Sequence, residues 1–273
     1  MPRIVRAMFS RRALLAGLAA WAACAPARAQ FVPDPHGTVE GKDVMWVPTP
    51  DAAVARLLDM ARVGASDYLI DLGSGDGRIA IAAAKARGAR AVGIEYNPEL
   101  VLLSRDAAKR EGVADRVTFR EADLFEVDLS QATVITLYLL TTLNVKLRPR
   151  LLVLKPGTRV ASHMFRMGDW EPDGKDRVAG SDLFLWIVPA RVAGTWRLTR
   201  GRETWTLELQ QQYQRVAGSL RHARGASAVA AQLRGADIRL AFDDASGARL
   251  ALAGRVDGDR VEGEGWRAVR VAG

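Results

Sequence analysis

Three carboxylates and a glycine turn are the residues whose types and spacing could do chemistry. Asp71 is followed by glycines at alternate positions, Gly73, Gly75 and Gly77, with Ser74 between the first two. Glycine has no Cβ, so the backbone can bend sharply there and a ligand can lie against it. Glu95 lies 24 residues after Asp71, at the end of the next apolar run. A carboxylate so placed can accept both hydroxyls of a ribose. Asp123 ends a third run, where an acid can accept from an amino group or simply shape a turn. Two further side chains close the set. Tyr138 either orients an amine nucleophile or sits in the core with its hydroxyl satisfied. His163 is either a proton acceptor or a structural histidine. The only cysteine is Cys24. A chain that starts beyond it has no thiol, which excludes disulfides, thiolate zinc sites and cysteine nucleophiles.

The elements that must position these residues are legible as alternating apolar patterns. Tyr68–Ile70 reads as a strand leading into Asp71, an Ala/Ile-rich helix follows the glycines, and Ala91–Ile94 reads as the next strand. A helix over Asn97–Arg110, ended by Gly112, separates it from a strand over Arg116–Arg120. Thr133–Leu139 is a buried-strand run, Asn144–Leu154 a helix, Thr158–His163 a strand, and Leu183–Val188 another. Upstream, Asp51 opens an amphipathic helix as its N-cap. Strand, helix, strand in this order defines an α/β fold, a Rossmann-like doubly wound sheet with ligands at the carboxyl ends of its strands. The glycine spacing is G-x-G-x-G, and Arg78 stands where a dinucleotide fold needs a small residue. That argues against a nicotinamide dinucleotide.

The string Asp71-Leu72-Gly73-Ser74-Gly75-Asp76-Gly77 resembles the first motif of class I S-adenosylmethionine (SAM) dependent methyltransferases. More narrowly, Trp46-Val47-Pro48-Thr49-Pro50, Asn97-Pro98, Asp123-Leu124-Phe125 and Trp170-Glu171-Pro172-Asp173 resemble the mitochondrial protein-lysine methyltransferases that modify ATP synthase and the adenine nucleotide translocase. The resemblance covers about residues 44–189. It implies SAM as cofactor, with Asp71, Gly73, Ser74 and Gly75 at its methionine part, Glu95 at the ribose, and Asp123 with Leu124 at the adenine. It implies a protein lysine as acceptor; a small-molecule acceptor, or an exported binding protein without activity, are the rivals. Base-amine methyltransferases usually carry Asn/Asp-Pro-Pro-Tyr at the end of the fourth strand. Here Leu137-Tyr138-Leu139-Leu140 stands in its place. No metal site is expected.

The two ends have a different texture. Residues 1–29 combine a basic start, Ser10-Arg11-Arg12, an apolar stretch from Ala13 to Ala25, and Ala27-Arg28-Ala29. This reads as a signal peptide resembling the twin-arginine type, and so as a periplasmic or exported protein; an uncleaved leader at the inner membrane is the alternative. The stretch is short for a membrane span, so no transmembrane helix is expected in the mature chain. The formal charge of +8 owes five arginines to this segment, and no nucleic-acid partner is expected from it. Residues 30–50, with four prolines, form a linker or strap. The SAM-binding domain is expected over 51–192. From 193 to 273, short alternating segments at Gly194–Leu198, Thr204–Leu209, Tyr213–Leu220, Asp237–Phe242, Arg249–Ala253 and Arg260–Glu264 are punctuated by glycines. They suggest a small C-terminal antiparallel β unit, a meander or small barrel, although Thr195–Leu198 could instead end the main sheet.

Overall fold

The computed structural model describes residues 46–271. The expected signal peptide, Cys24 and most of the expected strap lie outside the described residues. The first sheet contains β1 (Tyr68–Leu72), β2 (Arg90–Glu95), β3 (Val117–Glu121), β4 (Val134–Leu137), β5 (Arg159–His163), β6 (Gly174–Val178) and β7 (Ser181–Ile187). Their order is β3-β2-β1-β4-β5-β7-β6. The first five are parallel, and β7 runs antiparallel between β5 and β6. The chain reverses at β1, stepping outward to β3 and then back to β4. That reversal is a topological switch point, where open α/β sheets bind ligands.

Apolar residues alternate across the two faces because strand side chains point to opposite sides. Leu69, Ala91, Val134, Ala161 and Leu183 face α1 (Asp51–Met60), α2 (Arg78–Arg87) and α3 (Pro98–Arg110). Ile70, Val92, Ile135, Val160 and Trp186 face the other side with α4 (Thr141–Leu151). The described links from β3 to β4 and from β5 to β6 contain no helix. Loops and Tyr213 therefore complete the cover of that second face.

Tyr213 belongs to the C-terminal unit, an eight-stranded closed antiparallel barrel. Its strands are β8 (Gly194–Arg200), β9 (Glu203–Gln212), β10 (Arg215–His222), β11 (Gly225–Arg234), β12 (Asp237–Asp243), β13 (Arg249–Asp257), β14 (Arg260–Gly263) and β15 (Trp266–Arg270). Each pairs with the next, and β15 closes on β8. Closure removes the unpaired edges of an open sheet. Eight strands leave an interior that side chains fill, and Trp196, Trp205, Phe242 and Trp266 pack it with leucines and valines. Residues 193–273 carry thirteen arginines and no lysine. The β9–β10 tip docks on the first sheet. Trp170 Nε1 donates to Gln214 Oε1 at 2.9 Å, Gln214 Nε2 donates to the Glu171 carbonyl at 2.6 Å, and the Tyr213 hydroxyl donates to Asp169 at 3.0 Å.

Several local expectations need correction. Pro50 occupies the N-cap of α1, and Asp51 is its first residue with no capping bond. The β4 strand stops at Leu137, so Tyr138 to Leu140 leave the sheet. The α4 helix starts at Thr141 and ends at Leu151, earlier than its apolar pattern suggests. Thr195–Leu198 is not a strand of the main sheet; it pairs with β9 and β15 in the barrel.

Candidate active site

The site begins with how the sequence folds the turn after β1. Gly73, Gly75 and Gly77 all take positive φ, at 76°, 55° and 80°. The amides of Gly73 and Ser74 both donate to the Ile94 carbonyl, at 2.9 and 3.0 Å, tying the turn to the end of β2. A Cβ on Gly77 would lie 2.5 Å from Phe119 Cζ, and one on Gly93 would lie 2.4 Å from Phe119 Cδ1 and 2.6 Å from Ser74 Oγ. The phenyl ring of Phe119 thus fills the space that two side chains would need.

The carboxyl edge of the sheet gathers the expected residues. Glu95 ends β2, and its carboxylate accepts from three amides: Gly75 at 2.9 Å, Tyr96 at 2.9 Å and Asn97 at 3.0 Å. It joins the glycine turn to the start of α3, and of its roughly four acceptor sites one stays open for a ribose hydroxyl. Asp123 follows β3 and accepts from the Phe125 amide at 2.9 Å, and Leu124 and Phe125 pack against the core of the second face. The carbonyls of Leu124 and Val127 in this loop accept from Arg150 of α4, and Lys146 Nζ stands 4.1 Å over the Phe125 ring.

Asp71 is 2 % exposed. Its Oδ1 accepts from Thr136 Oγ1 at 2.7 Å. Burial pushes its carboxyl up to about 7; the Thr136 hydrogen bond opposes this, and the nearby Asp76 and Glu95 charges add to it. Its Oδ2 has no partner, and neither has Ser74 Oγ, Asn144 Oδ1 or His163 Nε2. Buried polar atoms are rarely left so. Asp71, Ser74 and His163 stand at or just past the carboxyl ends of β1 and β5, on the edge where the switch point predicts a ligand.

Tyr138 and His163 do come together. Their ring centroids are 4.0 Å apart. His163 Nδ1 shares a 3.2 Å hydrogen bond with Thr49 Oγ1, and burial pushes the imidazole down to about 4, so it is neutral at physiological pH.

Thr49 was not foreseen as a contact, and it belongs to a strap across the site. Its carbonyl accepts from Arg78 Nη1 at 2.8 Å, while Arg78 also clasps Asp76. Trp46, half-buried, lies on the glycine turn: a Cβ on Gly75 would be 2.1 Å from its Nε1. Leu139 does the same over Gly73, at 2.9 Å. The Trp-Val-Pro-Thr-Pro string signalled the strap in the sequence, whereas nothing local signalled Leu139.

These features fit a SAM molecule. A tight glycine-rich turn, an unpartnered buried carboxylate oxygen and a strand-end glutamate with one acceptor site open suit a ligand with an ammonium, a ribose and a purine. With the β3-β2-β1-β4-β5-β7-β6 sheet, they define a class I SAM-dependent methyltransferase.

Known proteins agree. The profile described as the ANTKMT methyltransferase domain matches residues 71–174. A protein-lysine N-methyltransferase from Saccharolobus islandicus is 46% identical over 151 residues, covering 53% of this chain and 94% of that protein. The adenine nucleotide translocase lysine N-methyltransferase of Mus musculus is 34% identical over 146 residues, 51% of this chain and 63% of the mouse one. A crystal structure from Salinibacter ruber, described as an RNA methyltransferase in complex with S-adenosyl-L-homocysteine, is 54% identical with a TM-score of 0.53, covering 54% of this chain and 96% of that one. The chain belongs to the methyltransferase family of the Saccharolobus enzyme. It is a SAM-dependent enzyme, and the reading as a binding protein without activity falls away. The chain spans nearly all of the archaeal relative but less than two thirds of the mouse one.

Proposed function

We propose that the enzyme methylates the ε-amine of a protein lysine. The observation that carries this reading is the Tyr138–His163 pair at the carboxyl ends of β4 and β5, where Leu139, next to Tyr138, rests on Gly73 of the glycine turn. Its kinship with a protein-lysine enzyme over nearly all of that enzyme's length supports it. SAM supplies an electrophilic methyl group when bound. Asp71, through its unpartnered Oδ2, holds the ammonium of the methionine part, and Gly73, Ser74 and Gly75 let that part lie against the backbone once Leu139 and Trp46, which rest on Gly73 and Gly75, give way. Glu95 holds the ribose through its one open acceptor site. Asp123 accepts the adenine amino group, with Leu124 against the ring. A neutral imidazole at His163 does not repel an incoming lysine and can accept a hydrogen bond from its amine; with its pKa pushed down to about 4 it does not take the proton, which the ammonium gives up to solvent before transfer. Tyr138 orients the amine. Fixing the amine in line with the methyl group supplies much of the rate, because methyl transfer from a sulfonium needs little acid catalysis.

A second acceptor class is open to direct test, since the Salinibacter relative is described as an RNA methyltransferase. Against RNA stands Leu137-Tyr138-Leu139-Leu140, which lacks the acid or amide and both prolines that a base-amine enzyme carries at this place. Incubation with tritiated SAM and separate soluble, periplasmic and membrane extracts decides. Label removed by protease and recovered as methyl-lysine supports the proposal; label removed by ribonuclease, or found only in small molecules, refutes it. We also propose that the chain is exported, on its Arg11-Arg12 leader alone. Mature protein beginning at Gln30 in a periplasmic fraction is the expected result, and an intact cytoplasmic start refutes it.

A further inference from the structure

The loop after β5 contains a tight reversal. The amide of Phe165 donates to the carbonyl of His163, two residues back, at 2.8 Å. Met164 lies between them with φ 64°. A three-residue turn with positive φ at its centre is a rare, strained γ-turn, and non-glycine residues in this region persist only where the surroundings hold them.

The surroundings hold this one from every side. The Met164 amide donates to the Asp182 carbonyl of β7 at 2.7 Å, and the Asp182 amide donates back to Met164 Sδ at 3.4 Å. The Phe165 carbonyl accepts from Ser162 Oγ at 2.8 Å and from Asn144 Nδ2 at 3.3 Å. Asn144 Nδ2 also lies 3.4 Å from the Arg166 carbonyl. Asn144 is fully buried.

The product of the turn is a stack of rings. Phe165 lies over Tyr138 with centroids 6.0 Å apart and planes 27° from parallel, while Tyr138 leans on His163. Tyr138 and Phe165 are both partly exposed, and Leu140 and Met164 on the rim are 45 % and 39 % exposed. Leu139, next to Tyr138, rests on Gly73 of the ligand turn. The rings therefore form an open aromatic wall beside the methyl-donor side of the cleft.

We propose that Phe165, folded onto Tyr138 by the γ-turn at Met164, seats the butyl stem and ammonium head of the acceptor lysine, with Met164 as a positioning residue. This rests on the lysine reading above. Aromatic faces pack against methylene groups and attract a cation through the ring quadrupole. A methylated ammonium, weakly hydrated and bulky, suits such a wall as well as the substrate does.

The test separates cofactor, wall and acceptor. n-Butyltrimethylammonium, the side chain of trimethyllysine without its backbone, is titrated into enzyme saturated with S-adenosylhomocysteine and followed by NMR of the aromatic side chains. Shifts at Tyr138 and Phe165 are expected. Phe165→Ala is expected to weaken the probe at least tenfold and to raise KM for the labelled acceptor protein by a similar factor. SAM affinity should stay within twofold, which also reports a folded site. Phe165→Leu is expected to keep part of the acceptor binding and lose the preference for the cation over n-butanol. Met164→Val, whose branched side chain resists φ 64°, is expected to resemble Phe165→Ala. Wild-type probe binding elsewhere, or acceptor KM unchanged in Phe165→Ala, overturns the wall while leaving the lysine reading intact. Label on RNA in place of lysine overturns the lysine reading whatever Phe165 does.

Discussion

Cofactor binding is expected to expel a proton from Asp71. In the free enzyme this buried carboxyl is held near 7, about three units above an ordinary aspartate, which corresponds to roughly 4 kcal/mol. A cation placed against its unpartnered Oδ2 favours the ionised form and lowers the pKa by about 1–3 units. At pH about 7 half of the free enzyme is protonated, so binding releases about half a proton; at pH about 6 it releases most of one. Affinity should therefore rise about three- to eightfold from about pH 5.5 to 6.5, level above about 7, and fall again when the cofactor's own amine deprotonates near about 8. Titration calorimetry in phosphate and in Tris, whose ionisation enthalpies differ, reads the proton directly. Asp71→Asn should bind about 10–100-fold more weakly with no buffer dependence, from the loss of a charge-assisted bond of about 1.5–3 kcal/mol. The same raised pKa sets the sign for stability. The native state holds this proton more tightly than the unfolded chain does. Asp71 therefore costs stability as pH rises from about 4 to about 7, and Asp71→Asn should recover stability at pH 8 but not at pH 4. A buffer-independent enthalpy with affinity flat between about 5.5 and 7 would refute the assignment of Asp71 to the ammonium.

Other expectations follow from contacts of known geometry. Gly77→Ala must carry φ 80° and a Cβ 2.5 Å from Phe119; backbone strain of about 1–2 kcal/mol and overpacking of about 1–3 predict a clear fall in the denaturation midpoint. An unchanged midpoint would show that the turn can relax. Glu95→Ala removes the acceptor of three amides and the ribose partner, so calorimetry should show SAM binding at least tenfold weaker; equal affinity would remove Glu95 from the site. His163 is held neutral by burial, with its pKa lowered to about 4 from an ordinary 6.5. Its contribution to stability is thus complete above about 6.5 and lost as pH falls toward about 4. His163→Gln should flatten acid unfolding in that window, and an identical acid profile would place the imidazole in water.

The glycine turn and its strand-end acids could be read from sequence because each depends on neighbours a few residues away. Features that depend on distant partners could not. β6, Gly-Lys-Asp-Arg-Val, has almost no apolar pattern because it lies at the sheet edge and pairs only with β7. β11, Gly-Ala-Ser-Ala-Val-Ala-Ala-Gln-Leu-Arg, buries only Val229 and Leu233, and its alanines carry no strand signal. β15 escaped notice because it is short and turns only Trp266 and Ala268 inward. Without β11 and β15 the C-terminal segments read equally as meander or barrel; closure is set by the pairing of β15 with β8, some seventy residues apart. The apolar run at β4 overran its strand because Leu139 is buried against the glycine turn and not within the sheet. Phe165 carried no mark at all, since the γ-turn that places it is held by Asp182 and Asn144.

The all-arginine positive charge of the barrel has a consequence for an enzyme that modifies lysine. Such a protein is its own most concentrated bystander, and every exposed ε-amine on it competes with the true acceptor. Guanidinium groups stay protonated and offer no nucleophilic nitrogen at neutral pH. The barrel keeps its cations while remaining invisible to the chemistry of the cleft. All six lysines, Lys42, Lys85, Lys109, Lys146, Lys155 and Lys175, precede it. Replacing one barrel arginine at a time with lysine would turn that silence into a ruler: self-labelling would mark which parts of the barrel another copy can bring within reach of its cleft.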